Sequence, residues 1–513
     1  MSTPMGTKRR RWSLRLYALP AALVLCLTLP KLWQGIFAVD TGWYAAIGLQ
    51  GWRAAGEGDW SHLWSLTGYG GPGPEGTPYF NKPPLAFWIH GFVLWLMGPS
   101  ILAARLPSVV AAIGSVLCTV AAVRTASGRR TAVLAGIVLA MTLEFTRHAR
   151  AISLDMWQLL FFCAALWIAC SAVASGRGRR LAALGVPIGL ALLTKPLVGL
   201  IPLAIVAVWL VWIGRARWCG WVLAAALVAA AIAAPWHVSM YAIHGEAFTS
   251  AYFGREIMQR AAGRIEGMNA DATSPLYYLV ELARQYWPWL ITVVLAIAAW
   301  VRRAWAGRGA PPPAGVGQAG WAEWASWGLK LAVLWSLAWL VLLSMFADKR
   351  PRYLLPAYPA WSWMTAVWLV HDAPAWVKRV RNGVERWALP VGAVAAAVAA
   401  VAPIRLDRGR GAHYPAMFER LRELGATEVW EGGLPEGARG ARVYLHLGRW
   451  PRRTHAYDGT PIAAPAPGDL VMYHEEDGWA PGPGETIEFR QGPITLSRVG
   501  EEGWSPVWTR PRE

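Results

Sequence analysis

Residues 156–175 read MWQLLFFCAALWIACSAVAS, a run with no charged side chain. As an α-helix it is about 30 Å long, the thickness of a bilayer's hydrocarbon layer, where a helix satisfies its own backbone hydrogen bonds. Pro196–Gly214, Trp218–Trp236, Leu331–Ala347 and Trp387–Ile404 are uncharged runs of similar length, and Leu16–Pro30 and Thr131–Leu143 are shorter ones. The chain has 513 residues, 55% of them hydrophobic, with mean hydropathy +0.31, more apolar than soluble domains usually are.

Charge gives the runs a direction. The net charge is +18, but from Arg405 onward 14 arginines face 16 acidic residues, so the first 404 residues carry about +20. These basic residues lie in short clusters between apolar runs: Lys8–Arg15, Arg124–Arg130, Arg177–Arg180, Arg215–Arg217, Arg302–Arg308 and Lys378–Arg386. A nucleic-acid-binding protein gathers its cations on one solvated face. Here they alternate with the runs as the positive-inside rule expects. Spans at 14–38, 101–123, 131–145, 156–175, 181–194, 196–214, 218–236, 285–301, 329–347, 353–371 and 387–404 satisfy that alternation. The N-terminus is then cytoplasmic, and an uncleaved first span follows the basic N-terminal segment. Pro83–Met97 is too short to cross and reads as an interfacial helix.

The expected fold is an all-α polytopic membrane protein of about eleven transmembrane helices plus interfacial helices, with a small C-terminal α/β soluble domain. Residues 1–404 form the membrane domain and 405–513 an extracytoplasmic one. In the tail, 414–424 has helical spacing, while Arg442–Leu447, Asp469–Tyr473 and Thr486–Arg490 read as short strands. The five cysteines, Cys26, Cys118, Cys163, Cys170 and Cys219, lie in or beside apolar segments and imply no disulfide framework.

Two carboxylates fall where a helix meets the external face: Asp40, at the end of the first span, and Asp155, just before the fourth. An acid beside hydrocarbon is costly and points to function, although Asp also favours helix starts. Cations gather at the same face: Lys82 in front of two prolines, then Arg105, Arg147, Arg150, Lys195, Arg255, Arg260, Lys349, Arg350 and Arg352. Arg105 and Lys195 also fit snorkelling to the interface, and Lys349–Arg352 also fits lipid headgroups. Together they suggest an outward cavity that holds a phosphate and a general base.

The motifs occur in order: Asp40-x-x-x-Tyr44, Gly58-Asp59-Trp60, Tyr79-Phe80-x-Lys82-Pro83-Pro84-Leu85, Ala103-Ala104-Arg105-Leu106-Pro107-Ser108, Gly128-Arg129-Arg130, Leu154-Asp155-Met156, Leu192-Leu193-Thr194-Lys195, Pro235-Trp236, Trp287-Pro288-Trp289 and Lys349-Arg350-Pro351-Arg352-Tyr353. Over about residues 35–360 this resembles the bacterial aminoarabinose transferase and dolichyl-phosphate-mannose protein mannosyltransferase superfamily, polytopic glycosyltransferases of the C-type fold related to glycosyltransferase family 39. The resemblance implies inverting transfer of a sugar from a polyprenyl (undecaprenyl) phosphate carrier to a lipid or glycan acceptor, outside the cytoplasm at the inner membrane. It makes Asp40 the base, Asp155 the second-loop acid and Lys82 the holder of the carrier phosphate, aided more loosely by Arg260 and Tyr353. Lys349 and Arg352 join that phosphate group, and Tyr44, Tyr79, Arg150 and Glu256 are candidate substrate contacts. Thr41 stands where many members carry a second acid, which argues mildly against a protein acceptor.

The implied partners are the lipid-linked sugar donor, the acceptor and membrane lipids, with no nucleic acid. The sequence establishes no cofactor. A divalent metal near Asp40 and Asp155, with His237 or His244 nearby, stays open, although the absence of a clustered ligand spacing argues against it. A protein O-glycosyltransferase using the same carrier, a transporter or flippase, and a non-catalytic scaffold are the competing classes. Transporters often show internal repeats and midplane charge, whereas here no repeat is seen and the charges gather at one face.

Overall fold

The structure, a computed structural model, describes residues 5–34, 39–68, 77–195, 198–259, 276–306, 326–345, 349–401, 414–432, 437–455, 461–474 and 479–508. The first apolar run forms α1 (Met5–Thr28). It stops well short of residue 38: the chain turns at Pro30, and Lys31 adopts a left-handed backbone with φ 53°. Neither geometry continues a right-handed helix. Asp40 therefore does not end the first span, as its sequence position suggested. It is the second residue of a separate helix, α2 (Val39–Gly56).

The segment read as an interfacial helix forms α3 (Leu85–Met97), about 20 Å long. α4 (Ile101–Ala140) contains the second and third expected spans, broken at Gly128 (φ 84°) within the basic cluster. After α5 (Leu143–Ala149), the quoted run forms α6 (Leu154–Ala174). A 3-10 stretch, Gly178–Leu184, leads into α7 (Gly185–Leu192), then α8 (Ile201–Trp212) and α9 (Cys219–Thr249). α10 (Tyr277–Gln285), α11 (Trp289–Ala306), α12 (Trp327–Met345), α13 (Tyr358–His371) and α14 (Ala375–Val401) follow. α14 begins well before Trp387, so the basic residues 378–386 lie on the helix and not in a loop before it.

Among the described residues five helical segments are long and apolar enough to cross a membrane: Ile101–Ala140, Leu154–Ala174, Ala216–Gly254, Trp327–Met345 and Ala375–Val401. α10 and α11, bent by 118°, make a sixth if they form one broken span. The class is a mostly helical polytopic membrane protein with a small C-terminal sheet. By length and apolarity the described helices do not confirm about eleven crossings.

The chain divides into two compact units. The first comprises Met1–Pro30, Phe80–Ala86 and Ser108–Ala402. Lipid gives helices little hydrophobic reason to associate, so close packing and internal hydrogen bonds hold such a bundle. α7 approaches α9 through Gly185 and Gly189: a β-carbon would come within 2.5 Å of the Ala225 carbonyl at Gly185 and within 2.7 Å of Ile232 at Gly189. Three buried indoles are hydrogen-bonded across elements. Trp209 donates to the Trp327 carbonyl at 2.8 Å, Trp335 to the Pro356 carbonyl at 2.8 Å and Trp363 to the Ser127 hydroxyl at 2.8 Å. Leaving one such donor buried and unpaired costs about 1–3 kcal/mol.

The second unit comprises Lys31–Tyr79, Phe87–Pro107 and Pro403–Glu513. α2 runs through it. Gly48 and Gly91 bring α2 and α3 into backbone contact, since a β-carbon at Gly91 would lie 2.2 Å from the Gly48 carbonyl. Trp52 of α2 donates to the Trp88 carbonyl of α3 at 2.7 Å. Fully buried His90 of α3 pairs through Nδ1 with the Ala104 carbonyl at 2.8 Å. Burial pulls its pKa down from 6.5 to about 4, because a dry site disfavours the charged ring.

The C-terminal part contains α15 (Tyr414–Glu423), α16 (Gly437–Leu447) and a mixed sheet. Its strands are β1 (Trp430–Gly432), β2 (Arg452–Arg453), β3 (Leu470–His474), β4 (Glu485–Gln491) and β5 (Ile494–Val499), in the order β2-β1-β3-β5-β4. β1 is parallel to β2 and β3; β5 is antiparallel to β3 and β4. Tyr414, Met417, Phe418 and Leu421 of α15 share a core with Leu470, Met472, Ile494 and Leu496 of the sheet. The expected strand at Arg442–Leu447 is instead the end of α16. Residues 441–445 are all buried, so the strand-like alternation of polar and apolar residues there carried no facing information.

Candidate active site

The best-defined polar cluster lies in the first unit, at the start of α6. Ser153 is the cap: its hydroxyl accepts from the Met156 amide at 3.2 Å, and its own amide donates to the Ser108 hydroxyl at 3.0 Å. Because Ser153 satisfies the helix end, the Asp155 carboxylate is available for other contacts. One oxygen takes a direct contact from the Lys195 ammonium, and the other lies 3.8 Å from Arg352 Nε. Asp155 and Lys195 side chains are each only 16% exposed. The Lys195 ammonium also sits 5.5 Å from the centre of the Tyr353 ring. Lys349, three residues before Arg352, is buried.

Local structure explains this convergence. Lys195 follows α7 in a tight turn in which its amide donates to the Ala191 carbonyl at 2.9 Å. Arg352 and Tyr353 lie on the 3-10 stretch Pro351–Ala357 that leads into α13. The Leu85 amide donates to the Leu193 carbonyl at 3.0 Å. That bond places the half-buried Lys82 loop beside the turn that carries Lys195. Beneath Asp155, Glu144 accepts from Arg147 at 3.1 Å and pairs with His148 Nε2 at 3.1 Å, while His148 Nδ1 lies 3.1 Å from the Ser153 hydroxyl.

Other residues singled out by the sequence make contacts of their own. Arg150 donates to the carbonyls of Leu27, Thr28 and Pro30 at 3.3, 2.7 and 2.6 Å and so caps the end of α1. In the second unit, Tyr44 packs edge-on to Phe87 at 5.3 Å, and Tyr79 packs against the same ring at 5.4 Å. The side chains of Asp40, Thr41, Arg255 and Glu256, and the whole of Arg260, lie outside the described residues.

His237 is engaged at both ring nitrogens, with the Ala233 carbonyl and the Tyr252 hydroxyl each at 2.9 Å. His244 packs on Phe80 at 5.0 Å. Among the described residues no group of three or more His, Cys, Asp or Glu could hold a metal ion. His237 and Tyr252 also line an apolar cavity of about 280 Å³ with Leu192, Leu200, Ala233 and Phe253.

Lys195 had been open to a snorkelling explanation and was not among the site residues drawn from the sequence. Its signal was its position, a lone cation directly after an uncharged helix. Glu144, Arg147 and His148 carried a second signal, the i, i+3, i+4 spacing that puts partners on one helical face.

Residues 81–238 match the family model described as dolichyl-phosphate-mannose-protein mannosyltransferase. An undecaprenyl phosphate-α-4-amino-4-deoxy-L-arabinose arabinosyl transferase of Edwardsiella ictaluri is 29% identical over 342 residues, 64% of this chain and 57% of the relative. The protein of the same name from Erwinia tasmaniensis is 28% identical over 290 residues, 55% of this chain and 48% of the relative. The chain thus spans about half the length of the curated relatives it matches. The crystal structure of ArnT from Cupriavidus metallidurans bound to undecaprenyl phosphate aligns with a TM-score of 0.69 at 18% identity, covering 95% of this chain and 97% of that one. The apo oligosaccharyltransferase of Archaeoglobus fulgidus aligns at 0.52 with 12% identity, covering 86% of this chain and 64% of that one. In motif order, family model and fold the chain is similar to the aminoarabinose transferases and O-mannosyltransferases of the C-type glycosyltransferase fold.

Proposed function

We propose that the protein is a glycosyltransferase that moves a sugar from a polyprenyl phosphate, undecaprenyl phosphate in the first instance, to a lipid or glycan acceptor. The reaction takes place on the outer face of the cytoplasmic membrane, with the N-terminus inside and residues 405–513 outside. The observation that carries this reading is the Asp155 cluster. Two cations converge on one carboxylate at a helix start, and a helix N-terminus itself attracts anions.

In this reaction the bond between the anomeric carbon and the phosphate oxygen breaks, and its electron pair goes to the phosphate. The acceptor hydroxyl oxygen forms the new bond from the opposite face and gives up its proton. Lys195 and Arg352, with Lys82, Lys349 and Tyr353, stabilise the charge that grows on the leaving phosphate. Such fixed cations act most strongly where water is excluded. Asp155 aligns Lys195 and Arg352. A carboxylate already matched by two cations is a poor proton acceptor, so that task falls to Asp40, with Arg260 and Glu256 as further contacts to the donor. Tyr44, Tyr79 and Arg150 serve as supports: the first two pack on Phe87 and the third caps α1.

The test is mass spectrometry of envelope lipids and glycans from cells lacking the gene, restored with either the wild-type chain or Asp40→Asn. One sugar residue should disappear from one lipid or glycan on deletion, return with the wild type and stay absent with the variant at equal protein level. An envelope unchanged by deletion overturns the proposal. The family model over residues 81–238 bears a protein mannosyltransferase description and favours a second reading, in which the lost sugar would be found on secreted proteins.

A further inference from the structure

We propose that the C-terminal domain is a positioning device for the helix that begins with Asp40; this rests on the assignment of Asp40 as proton acceptor. α2 is gripped near its far end by the turn that follows α16. Arg53 donates to the Gly448 carbonyl at 3.2 Å, and its guanidinium lies 5.2 Å from the centre of the Tyr444 ring. One turn earlier, Gln50 accepts from the Trp450 indole at 2.9 Å. Tyr444 and Trp450 stack on each other at 4.8 Å and form one aromatic block behind both contacts. The turn is built for this approach: Gly448 has φ 79°, and a β-carbon there would already lie 3.4 Å from the guanidinium.

Gln50 and Arg53 are three residues apart and share a helical face. Gly48 and Trp52 fasten α2 to α3. The second half of α2 is therefore held by both α3 and the C-terminal domain. Asp40 begins the same rod, about 20 Å from Arg53 at 1.5 Å per residue. A tilt of about 5° at the clamp would move Asp40 by about 1.5 Å, and a misplacement near 1 Å can cost two orders of magnitude in rate. Arg53, Tyr444 and Trp450 are thus positioning residues acting through α2.

The experiment compares full-length wild type with Arg53→Ala, Trp450→Ala and the milder Arg53→Lys and Trp450→Phe. Three readouts are taken: hydrogen exchange of the amides of residues 42–49, affinity for undecaprenyl phosphate, and sugar transferred to the envelope at equal membrane level. Loss of one clamp contact should speed exchange in 42–49 and lower transfer, each by about tenfold. Undecaprenyl phosphate affinity should be unchanged, and Arg53→Lys should recover most of the loss. Unchanged exchange and transfer in both alanine variants overturns the proposal, as does a loss of transfer that only follows loss of protein. If the wild type fails to bind undecaprenyl phosphate, the proposed reaction falls, while the exchange result still decides the clamp.

Discussion

Asp40 and Asp155 occupy the same local position, the second residue of a helix, yet the two helices are secured differently. α6 is fixed at its start: Ser153 caps it, Ser108 holds the cap, and Lys195 and Arg352 flank the carboxylate. α2 is fixed from its middle and far end, through Gly48, Trp52, Gln50 and Arg53. Similar sequence signals can therefore serve different tasks. On the proposed mechanism, the acid locked among cations organises charge, whereas the acid at the head of a remotely anchored rod is aimed.

The sharpest way to break this contrast is to neutralise each acid. Asp40→Asn should lower transfer by about a thousandfold, within the usual range for removing a general base, with little change in thermal stability or in affinity for undecaprenyl phosphate. Equal activity in that variant would remove the distinction. Asp155→Asn should act first on stability. Taking one partner from a buried ion pair costs about 3–5 kcal/mol, read as a lower unfolding temperature of the detergent-solubilised protein. A stable Asp155→Asn that loses only activity would make Asp155 a base after all.

The scaffold of α2 gives a pH test. The folded-state pKa of His90 is about 4, against 6.5 for an ordinary histidine, so between those values the unfolded chain binds more protons. The stability that depends on neutral His90 is complete above pH 6.5 and is lost as pH falls towards 4, a total of roughly 3 kcal/mol. Unfolding temperature followed from pH 7 to 4 should show the decline, and His90→Gln should flatten it. The smallest effect belongs to Arg150. Arg150→Met uncaps α1 and should destabilise by about 2 kcal/mol while leaving carrier affinity unaltered; weakened carrier binding instead would restore Arg150 as a substrate contact.

Much of this was legible in the sequence. Uncharged runs and alternating basic clusters point to the membrane class, and motif order carries the family resemblance, because both signals are local. The end of α1 was misplaced because apolarity continues past Pro30 while the backbone turns at Lys31. Arg442–Leu447 reads as a strand because so short a stretch alternates polar and apolar residues and does not by itself separate a strand's period from a helix's. The break at Gly128 falls in the basic cluster between the spans expected at 101–123 and 131–145, while residues 378–386 continue α14 through charge. Asp155 and Arg352 were found by type and position. The meeting of Lys195 and Arg352 on Asp155 joins positions far apart in the chain, which spacing alone does not reveal.

The most direct test of the account is the affinity of the purified protein for undecaprenyl phosphate, measured in detergent for the wild type and Lys195→Gln. Losing one charge-assisted contact to the phosphate should weaken binding by about tenfold or more, with the fold retained. Equal affinity in the two proteins, or no binding by either, would contradict the assignment of the Asp155 cluster to the carrier phosphate.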